Sequence, residues 1–327
     1  MVNQTGWLGA RAEREAWENA RECESLLYLC GDATGDSRCY YEFNERVSHI
    51  RARKAMYAGR PFTWDMERKL FATGRLPYEL IPTHFQDTGN CVAAGLAGTG
   101  MKLQVLEIAL AGQEEKFREW YVPWIYAISR NQIGGGMRGG GSLGVWGARA
   151  VNEYGVLFSD DDGVPKYDGY SDKWGSSRNV RSPEYQKFFQ VAEDNKVETV
   201  RATSVDEMVE LMDAGYLLTI ASAQGFEKSD GSAYVVEHKG LAVYRTCGTW
   251  MHQMHITDMR REPELMFYRM NQWGPSFPGY FEMQGETPGG AWNLASDIEK
   301  ELRSGDVEVY GYCNFQGHPG GADFNFV

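Results

Sequence analysis

The strongest constraint on the fold of this chain is the separation of its helix signals, in the first half, from its strand signals, in the second half. The first half predicts helices: apolar residues recur at helical spacing in residues 11–29, and Asn90 is a good N-cap for a helix that begins at Cys91. The second half carries short apolar, β-prone runs between turn residues. No internal repeat or clean linker separates the halves. The 327 residues therefore predict an α+β protein with two lobes of one domain.

Local patterns predict the individual elements. A second helical stretch is expected over residues 101–120, and Pro183 after Ser182 is typical of a helix start. The segment from Ser204 to Glu207 fits a capping box. Strands are predicted over residues 216–222, 240–245, 250–259, 265–270 and 307–315, and a further helix over 293–304.

Composition excludes several classes of partner. The formal net charge is −12, and an acidic protein is repelled by phosphate backbones, so nucleic acid is not an expected partner. No run of 18 or more apolar residues is present, so we expect no membrane span. The N-terminal residues do not read as a secretory signal, and the six cysteines are irregularly spaced without a CxxC pair. These features predict free thiols in the cytoplasm.

Cys91 is the candidate nucleophile. A helix N-terminus stabilises a thiolate and lowers the pKa of the thiol, and Cys91 stands at a predicted helix start. Gln86, five residues upstream, carries an amide that could donate a hydrogen bond to a developing oxyanion. A buried structural cysteine is nevertheless the more frequent explanation of any single cysteine.

The segment WMHQMHITDM supplies the candidate base. In a strand, alternate side chains share a face, so His252 and His255 point to opposite sides and only one of them can reach a given cysteine. Asn271 follows His252 by nineteen residues. Its amide can accept the imidazole N–H and hold the ring in its productive tautomer.

Three short motifs carry a family resemblance. QDTGNCVAAG, HQMHITD and NQWG, in the order Gln, Cys, His, Asn, resemble the active-site motifs of the papain-like cysteine peptidases. The resemblance covers roughly residues 80–280. It implies a papain-like two-lobe α+β fold, with a helical left lobe carrying the Cys helix and a β-barrel-like right lobe carrying His and Asn. The expected divisions are an N-terminal extension over residues 1–80 and a peptidase domain over 81–327, whose lobes meet near residue 150.

The resemblance also implies roles. Cys91 is expected to attack a peptide carbonyl, His252 to serve as its base and Asn271 to orient that histidine. Gln86 is expected to line the oxyanion hole and Trp273 to shield the His–Asn hydrogen bond. The substrate is a peptide or protein, and no cofactor or metal is implied.

The match has departures from the family pattern. The family usually places its glutamine six residues before the cysteine rather than five. Asp258 stands where a glycine is usual, and Val92 replaces the tryptophan that commonly follows the cysteine.

Two other interpretations remain open. The chain could be a peptidase-fold structural or binding component of a larger assembly, such as a virus particle, with protein assembly partners and a virion localisation. Its Cys, His and Asn could also fall in this order by chance in an unrelated α+β protein.

Metal and phosphate sites are not expected. His252, His255 and Asp258 are spaced by three, but the segment has a β-like pattern and no HExxH arrangement. The glycine-rich run at residues 134–141 predicts a loop, because no Lys-Ser or Lys-Thr follows it.

Overall fold

The computed structural model describes residues 40–316 except 85, 87–88, 111–115, 137–139, 168–182, 231 and 278–284. The helix predicted over residues 11–29 and the expected helix-start residue Ser182 lie outside this part of the chain.

Eight α-helices occur among the described residues. They are α1 (Phe43–Tyr57), α2 (Thr63–Ala72), α3 (Cys91–Leu110), α4 (Val122–Ala127), α5 (Gly144–Glu153), α6 (Pro183–Glu193), α7 (Val205–Asp213) and α8 (Ala295–Ser304). A π-helical turn, Ile128–Ile133, continues α4. None of these helices is both long enough and apolar enough to cross a lipid bilayer.

The described strands form one nine-stranded sheet. They are β1 (Tyr41–Glu42), β2 (Lys196–Ala202), β3 (Leu217–Gln224), β4 (Val235–His238), β5 (Leu241–Tyr244), β6 (Thr249–Arg260), β7 (Met266–Met270), β8 (Gly290–Leu294) and β9 (Val307–Gln316). Their order is β1-β2-β9-β3-β6-β7-β8-β5-β4. Helices and strands thus confirm the α+β fold class.

Strand β6 lies at the centre of the sheet. It pairs antiparallel with β3, where His252 faces Ser222, and antiparallel with β7, where His255 faces Met270. Pairing with β7 therefore begins three residues after His252. The edge of β6 beside His252 and Gln253 is open to another part of the fold.

Helix α3 fills that place and packs against β6, β3 and β9. Every residue from Cys91 to Ile108 is buried. The sequence predicted two helices, one from Cys91 and one over 101–120, and this was wrong: α3 is continuous to Leu110, and Trp120 forms an isolated β-bridge with Phe158. A helix buried on all sides has no polar stripe from which its length could be read.

The glycines inside α3 serve close packing. A Cβ at Gly98 would lie 2.8 Å from the ring of His255, and one at Gly100 would lie 2.1 Å from the indole of Trp120. These positions therefore admit neighbouring side chains against the helix backbone, and they do not end the helix.

The other predicted elements are present, with ends that differ from the prediction by at most two residues. The strands predicted from residue 216 onward correspond to β3, β5, β6, β7 and β9, and Ser204 is the N-cap of α7, where its hydroxyl accepts from the Glu207 N–H. Asn293, the predicted first residue of the last helix, lies in β8 instead, and α8 begins two residues later. The sequence did not predict α1, α2, α4, β1, β2, β4 or β8.

Helices α1 and α2 pack on later parts of the chain. Helix α1 lies against α7 and β2, and α2 lies against α3. Lys54 of α1 is hydrogen-bonded to Glu210 of α7 at 2.9 Å, and Lys102 of α3 is bonded to Glu67 of α2 at 2.5 Å. The expected boundary between an extension and a peptidase domain at residue 80 stays a prediction.

Candidate active site

Cys91 is the first residue of α3. The backbone carbonyl of Asn90 accepts a hydrogen bond from the Ala94 N–H at 3.0 Å, which closes the first turn of the helix. The Asn90 side-chain oxygen makes no hydrogen bond to described atoms, so the expected side-chain cap is not formed. The sulfur still lies at a helix N-terminus, where the exposed N–H dipoles favour negative charge.

The sulfur of Cys91 lies against the open edge of β6. The backbone N–H of Gln253 donates to Sγ at 3.4 Å, so this N–H is bonded to the thiol and not to a neighbouring strand. The Gln253 side chain also donates to the carbonyl oxygen of Val92 at 3.1 Å. Two contacts thus attach the start of α3 to the residue that follows His252.

The imidazole of His252 is oriented by Asn271. Its Nε2 atom lies 2.7 Å from Oδ1 of Asn271, and the same oxygen accepts from the Gln272 N–H at 2.7 Å. A carboxamide oxygen only accepts hydrogen bonds, so Nε2 carries the proton. Nδ1 is then the ring's basic atom, and it has no hydrogen-bond partner among the described atoms.

Burial lowers the pKa of His252 to about 4, with Arg269 adding to the lowering and the hydrogen bond to Asn271 opposing it. Desolvation disfavours the imidazolium because the charged form loses its hydration. The ring is therefore neutral near pH 7. A neutral ring with a free Nδ1 lone pair can accept a proton.

The two histidines of β6 lie on opposite faces of the sheet. His255 packs against Gly98 of α3, and its Nδ1 lies 2.8 Å from Nε2 of Gln272. His252 lies among aromatic rings on the other face. The expectation that alternate residues of this strand point in opposite directions is confirmed. His255 and Gln272 were not singled out as site residues by the sequence.

Gln86 is held next to the Asn271 segment. Its backbone N–H donates to the carbonyl oxygen of Gln272 at 2.7 Å, and its side chain is fully buried. Gln86 stands five residues before Cys91 rather than the usual six. Its backbone nevertheless contacts Gln272, the residue that follows Asn271.

Trp273 covers the imidazole of His252. The ring centroids are 4.8 Å apart and the planes are inclined at 31°. Trp250 lies 5.4 Å from the His252 ring and 5.0 Å from that of Trp273. Trp250 is an aromatic neighbour that sequence reasoning missed, although it stands two residues before His252 and so on the same strand face.

His252, His255 and Asp258 do not converge on one point. The histidines face opposite ways, and a carboxylate oxygen of Asp258 accepts from the N–H of Thr63 at 2.7 Å and from its hydroxyl at 2.9 Å.

One His–Glu–Cys group among the described residues has ligand atoms within 4.8 Å of one another: His49, Glu198 and Cys313. Both Glu198 oxygens already accept from Arg46, and one also accepts from the Tyr216 hydroxyl. The carboxylate is therefore neutralised by a cation of the protein.

Comparison with known proteins gives similarity of structure only. No protein-family model and no curated protein sequence matches the chain.

Among solved structures, the chain is similar to xylellain, a cysteine protease from Xylella fastidiosa, at 16% identity and a TM-score of 0.49, over 74% of this chain and 84% of that one. It is also similar to the digestive procathepsin L 3 of Tenebrio molitor larval midgut, at 11% identity and a TM-score of 0.40, over 82% and 98% of the two chains. The proform of the ragweed pollen allergen Amb a 11, a cysteine protease, matches at 11% identity and a TM-score of 0.44, over 89% and 95%. With TM-scores below 0.5, these similarities carry no conclusion about activity.

Proposed function

We propose that this chain is a papain-like cysteine peptidase that hydrolyses peptide bonds through Cys91, His252 and Asn271. One arrangement carries the proposal: His252 is oriented through a 2.7 Å contact with Asn271, while the Cys91 sulfur accepts a hydrogen bond from the next residue of the same strand. Cys91 Sγ is thus bonded to the residue next to His252, while Nδ1 of His252 has no hydrogen-bond partner among the described atoms. The proposed proton transfer therefore requires Sγ and Nδ1 to move into contact.

Proton transfer starts the reaction. The thiol of Cys91 gives its proton to Nδ1 of His252, and the positive end of α3 stabilises the thiolate that forms. The sulfur attacks the carbonyl carbon, and the tetrahedral intermediate collapses as the C–N bond breaks. The imidazolium returns its proton to the leaving amine. An acyl-enzyme thioester remains on Cys91.

Water completes the cycle. The neutral His252 takes a proton from water, whose oxygen attacks the thioester carbonyl, and the C–S bond breaks. The proton returns to sulfur, and the carboxylic acid product leaves. Asn271 keeps its oxygen on Nε2–H throughout and so preserves the tautomer that exposes Nδ1.

The developing oxyanion needs donors at the helix start. The Cys91 backbone N–H and the Gln86 amide are the proposed donors, since Gln86 is tied by its backbone to Gln272. Both would act in a buried setting, where a hydrogen bond to negative charge is stronger than in water.

The site is closed in the described conformation. Cys91, His252, Asn271 and Gln86 all have fully buried side chains. A peptide can reach the sulfur only if the residues that cover it move apart, so substrate binding includes a conformational step.

The alternative, a peptidase-fold structural or binding component of an assembly, has no observation in its favour among the described residues. A peptide or protein substrate is the proposed partner, and the cytoplasmic localisation stays a prediction from the sequence.

Turnover of a peptide library by matched cysteine variants tests the proposal. Cys91→Ala should lower the cleavage rate at least about 10³-fold, because no other group supplies the nucleophile. Cys247→Ala is the control, because that thiol is free, partly exposed and remote in sequence from the Cys91 helix. Equal turnover by wild type and C91A would refute Cys91 chemistry.

Alkylation by iodoacetamide, with the labelled cysteines identified by mass spectrometry, gives a second measurement that needs no substrate. Cys91 should react faster than Cys247 near neutral pH although it is the more buried thiol. Slower labelling of Cys91 than of Cys247 would contradict an activated thiol.

A further inference from the structure

A buried polar layer lies between α3 and the sheet, next to the proposed catalytic residues. Gly95 and Gly98 of α3 face Gln272 and His255: a Cβ at Gly95 would lie 3.2 Å from Nε2 of Gln272, and one at Gly98 would lie 2.8 Å from the His255 ring. Both polar side chains are buried. Burying polar side chains of this size costs free energy unless they form hydrogen bonds, so their hydrogen bonds matter more here than the space they fill.

Gln272 connects three parts of the site. Its backbone N–H donates to Oδ1 of Asn271 at 2.7 Å, and its carbonyl accepts from the N–H of Gln86 at 2.7 Å. Its side-chain amide lies 2.8 Å from Nδ1 of His255. The backbone of one residue thus fixes both the orienting Asn271 and the proposed oxyanion residue Gln86, and His255 anchors that residue.

The donor and the acceptor of the Gln272–His255 hydrogen bond follow from the chemistry of the two groups. An amide N–H₂ group only donates, so Nδ1 of His255 accepts and the ring carries its proton on Nε2. The ring is fixed on β6 three residues after His252, directly opposite Met270 of β7. Because Asn271 and Gln272 follow the last residue of β7, the His255 contact determines the path of the chain at the point where it leaves the sheet.

We propose that His255 and Gln272 are positioning residues of the peptidase site: the His255–Gln272 hydrogen bond holds the backbone of Gln272, and through it the Asn271 oxygen and Gln86. This inference rests on the proposed function. A displacement of catalytic groups by about 1 Å can lower a rate about 10²-fold, so loss of the anchor should lower kcat although neither residue touches substrate.

Variants that separate hydrogen bonding from packing test this role. Gln272→Met keeps the length of the side chain but cannot donate, and His255→Leu removes the acceptor. His255→Asn is the matched control, because its Oδ1 can accept from Gln272 near the position of Nδ1. Thermal unfolding of each variant shows whether the protein is folded.

The expected results are specific to a positioning role. Q272M and H255L should lower kcat by about 10- to 100-fold with KM changed by less than about threefold. H255N should retain kcat within about threefold of wild type. The double variant H255L/Q272M should lose no more than either single variant, because both remove the same hydrogen bond.

The opposite results overturn the inference. Folded Q272M with wild-type kcat, or H255N as slow as H255L, would exclude this hydrogen bond as the anchor, and Q272M with H255N decides the question if H255L does not fold. Wild-type turnover that C91A retains would refute the proposed function and this inference together. C91A-sensitive turnover that Q272M leaves unchanged would refute only the inference.

Discussion

The indole of Trp273 lies over the imidazole of His252, with ring centroids 4.8 Å apart and planes inclined at 31°. Trp250 and Phe277 pack edge-on against the same indole, at 5.0 and 5.1 Å. Trp273 therefore covers the histidine and is itself held by two further rings. Water that reached the His252–Asn271 hydrogen bond would compete for the Asn271 oxygen, and in the proposed function the indole of Trp273 keeps water away.

Replacement of Trp273 by Leu should lower kcat about 10-fold or more, because water can then compete for the hydrogen bond that orients His252. Because Trp273 is only partly buried, the change should also lower the free energy of unfolding, by less than the roughly 3 kcal/mol that a fully buried aromatic ring contributes. Steady-state kinetics and urea unfolding measure the two effects. Trp64→Leu is the control, since Trp64 is buried in a different cluster, stacked on Phe62. It should lose stability without the drop in kcat, and an equal drop in both variants would contradict the shielding role.

In the proposed function, Asn271 sets the tautomer and charge of His252 through the 2.7 Å contact between its Oδ1 and Nε2 of the ring. Asn271→Ala removes the acceptor on Nε2 and should lower kcat about 10- to 100-fold. Asn271→Asp keeps an acceptor oxygen but adds a negative charge, which raises the pKa of His252 from about 4. The base acts in its neutral form, so activity is lost as pH falls through that pKa. The loss should therefore occur at a higher pH in N271D than in wild type.

The pH dependence of kcat/KM, measured from pH 3.5 to 7, checks this shift. Asn195→Ala serves as a control, because the described bonds of the Asn195 side chain go to the carbonyls of Val156 and Val191 and to no proposed catalytic residue. An N271D profile that coincides with that of wild type would show that His252 is not the titrating base.

The buried histidines should also make the fold acid-sensitive. Burial lowers the pKa of His252 to about 4 and that of His255 to about 3. An unfolded histidine titrates near 6.5, so between that pH and the folded pKa the unfolded chain binds more protons and stability falls as pH falls. Each residue should cost about 2 kcal/mol of unfolding free energy between pH 7 and pH 5.

Urea unfolding at pH 7 and pH 5 measures the loss. His255→Asn should lower the pH-dependent part by about 2 kcal/mol while preserving the bond to Gln272. The same pH-dependent loss in wild type and H255N would show that His255 does not enter the folded state neutral.

Strand prediction succeeded where apolar runs are bounded by turn residues. Strands β6 and β7 were predicted directly from the sequence, and they place His252 within β6 and Asn271 immediately after β7. Helix α1 could not be read because only Ile50 and Tyr57 of its fifteen residues are buried, which leaves no apolar stripe. The length of helix α3 was predicted wrongly for the opposite reason. Burial on every side removes the periodicity that marks one face of a helix.

The residues of the candidate site could be proposed one by one from the sequence, but the hydrogen bonds that connect them could not. Cys91, His252 and Asn271 each stand in a recognisable motif. The roles inferred for His255 and Gln272 depend on a side-chain contact across two strands, and on glycines of α3 that admit them. Asp258, a departure from the family pattern, is explained by Thr63, which is 195 residues away in sequence. A contact of that range leaves no local signal.

The contacts of residues 60–81 with the sheet and α3 decide whether this segment can be removed. Lys102 is buried against Glu67, whose other oxygen accepts from the N–H of Ile81, and buried Asp258 accepts from Thr63 and Arg60. Burial raises the pKa of Glu67, and the Lys102 ammonium opposes that rise. Without the segment, Lys102 and Asp258 lose these partners, and the apolar residues of α3 that pack against Met66 and Leu70 lose their cover.

A chain that begins at residue 81 should therefore not fold. Breaking a buried ion pair costs about 3–5 kcal/mol, and two such losses are comparable with the 5–15 kcal/mol that stabilises a typical domain. A chain that begins at residue 40 retains all of these contacts and is the matched control. Circular dichroism and urea unfolding of the two chains measure the difference. Cooperative unfolding of the 81–327 chain at the midpoint of the control would show instead that residues 40–80 are a dispensable extension, as a removable propeptide would be.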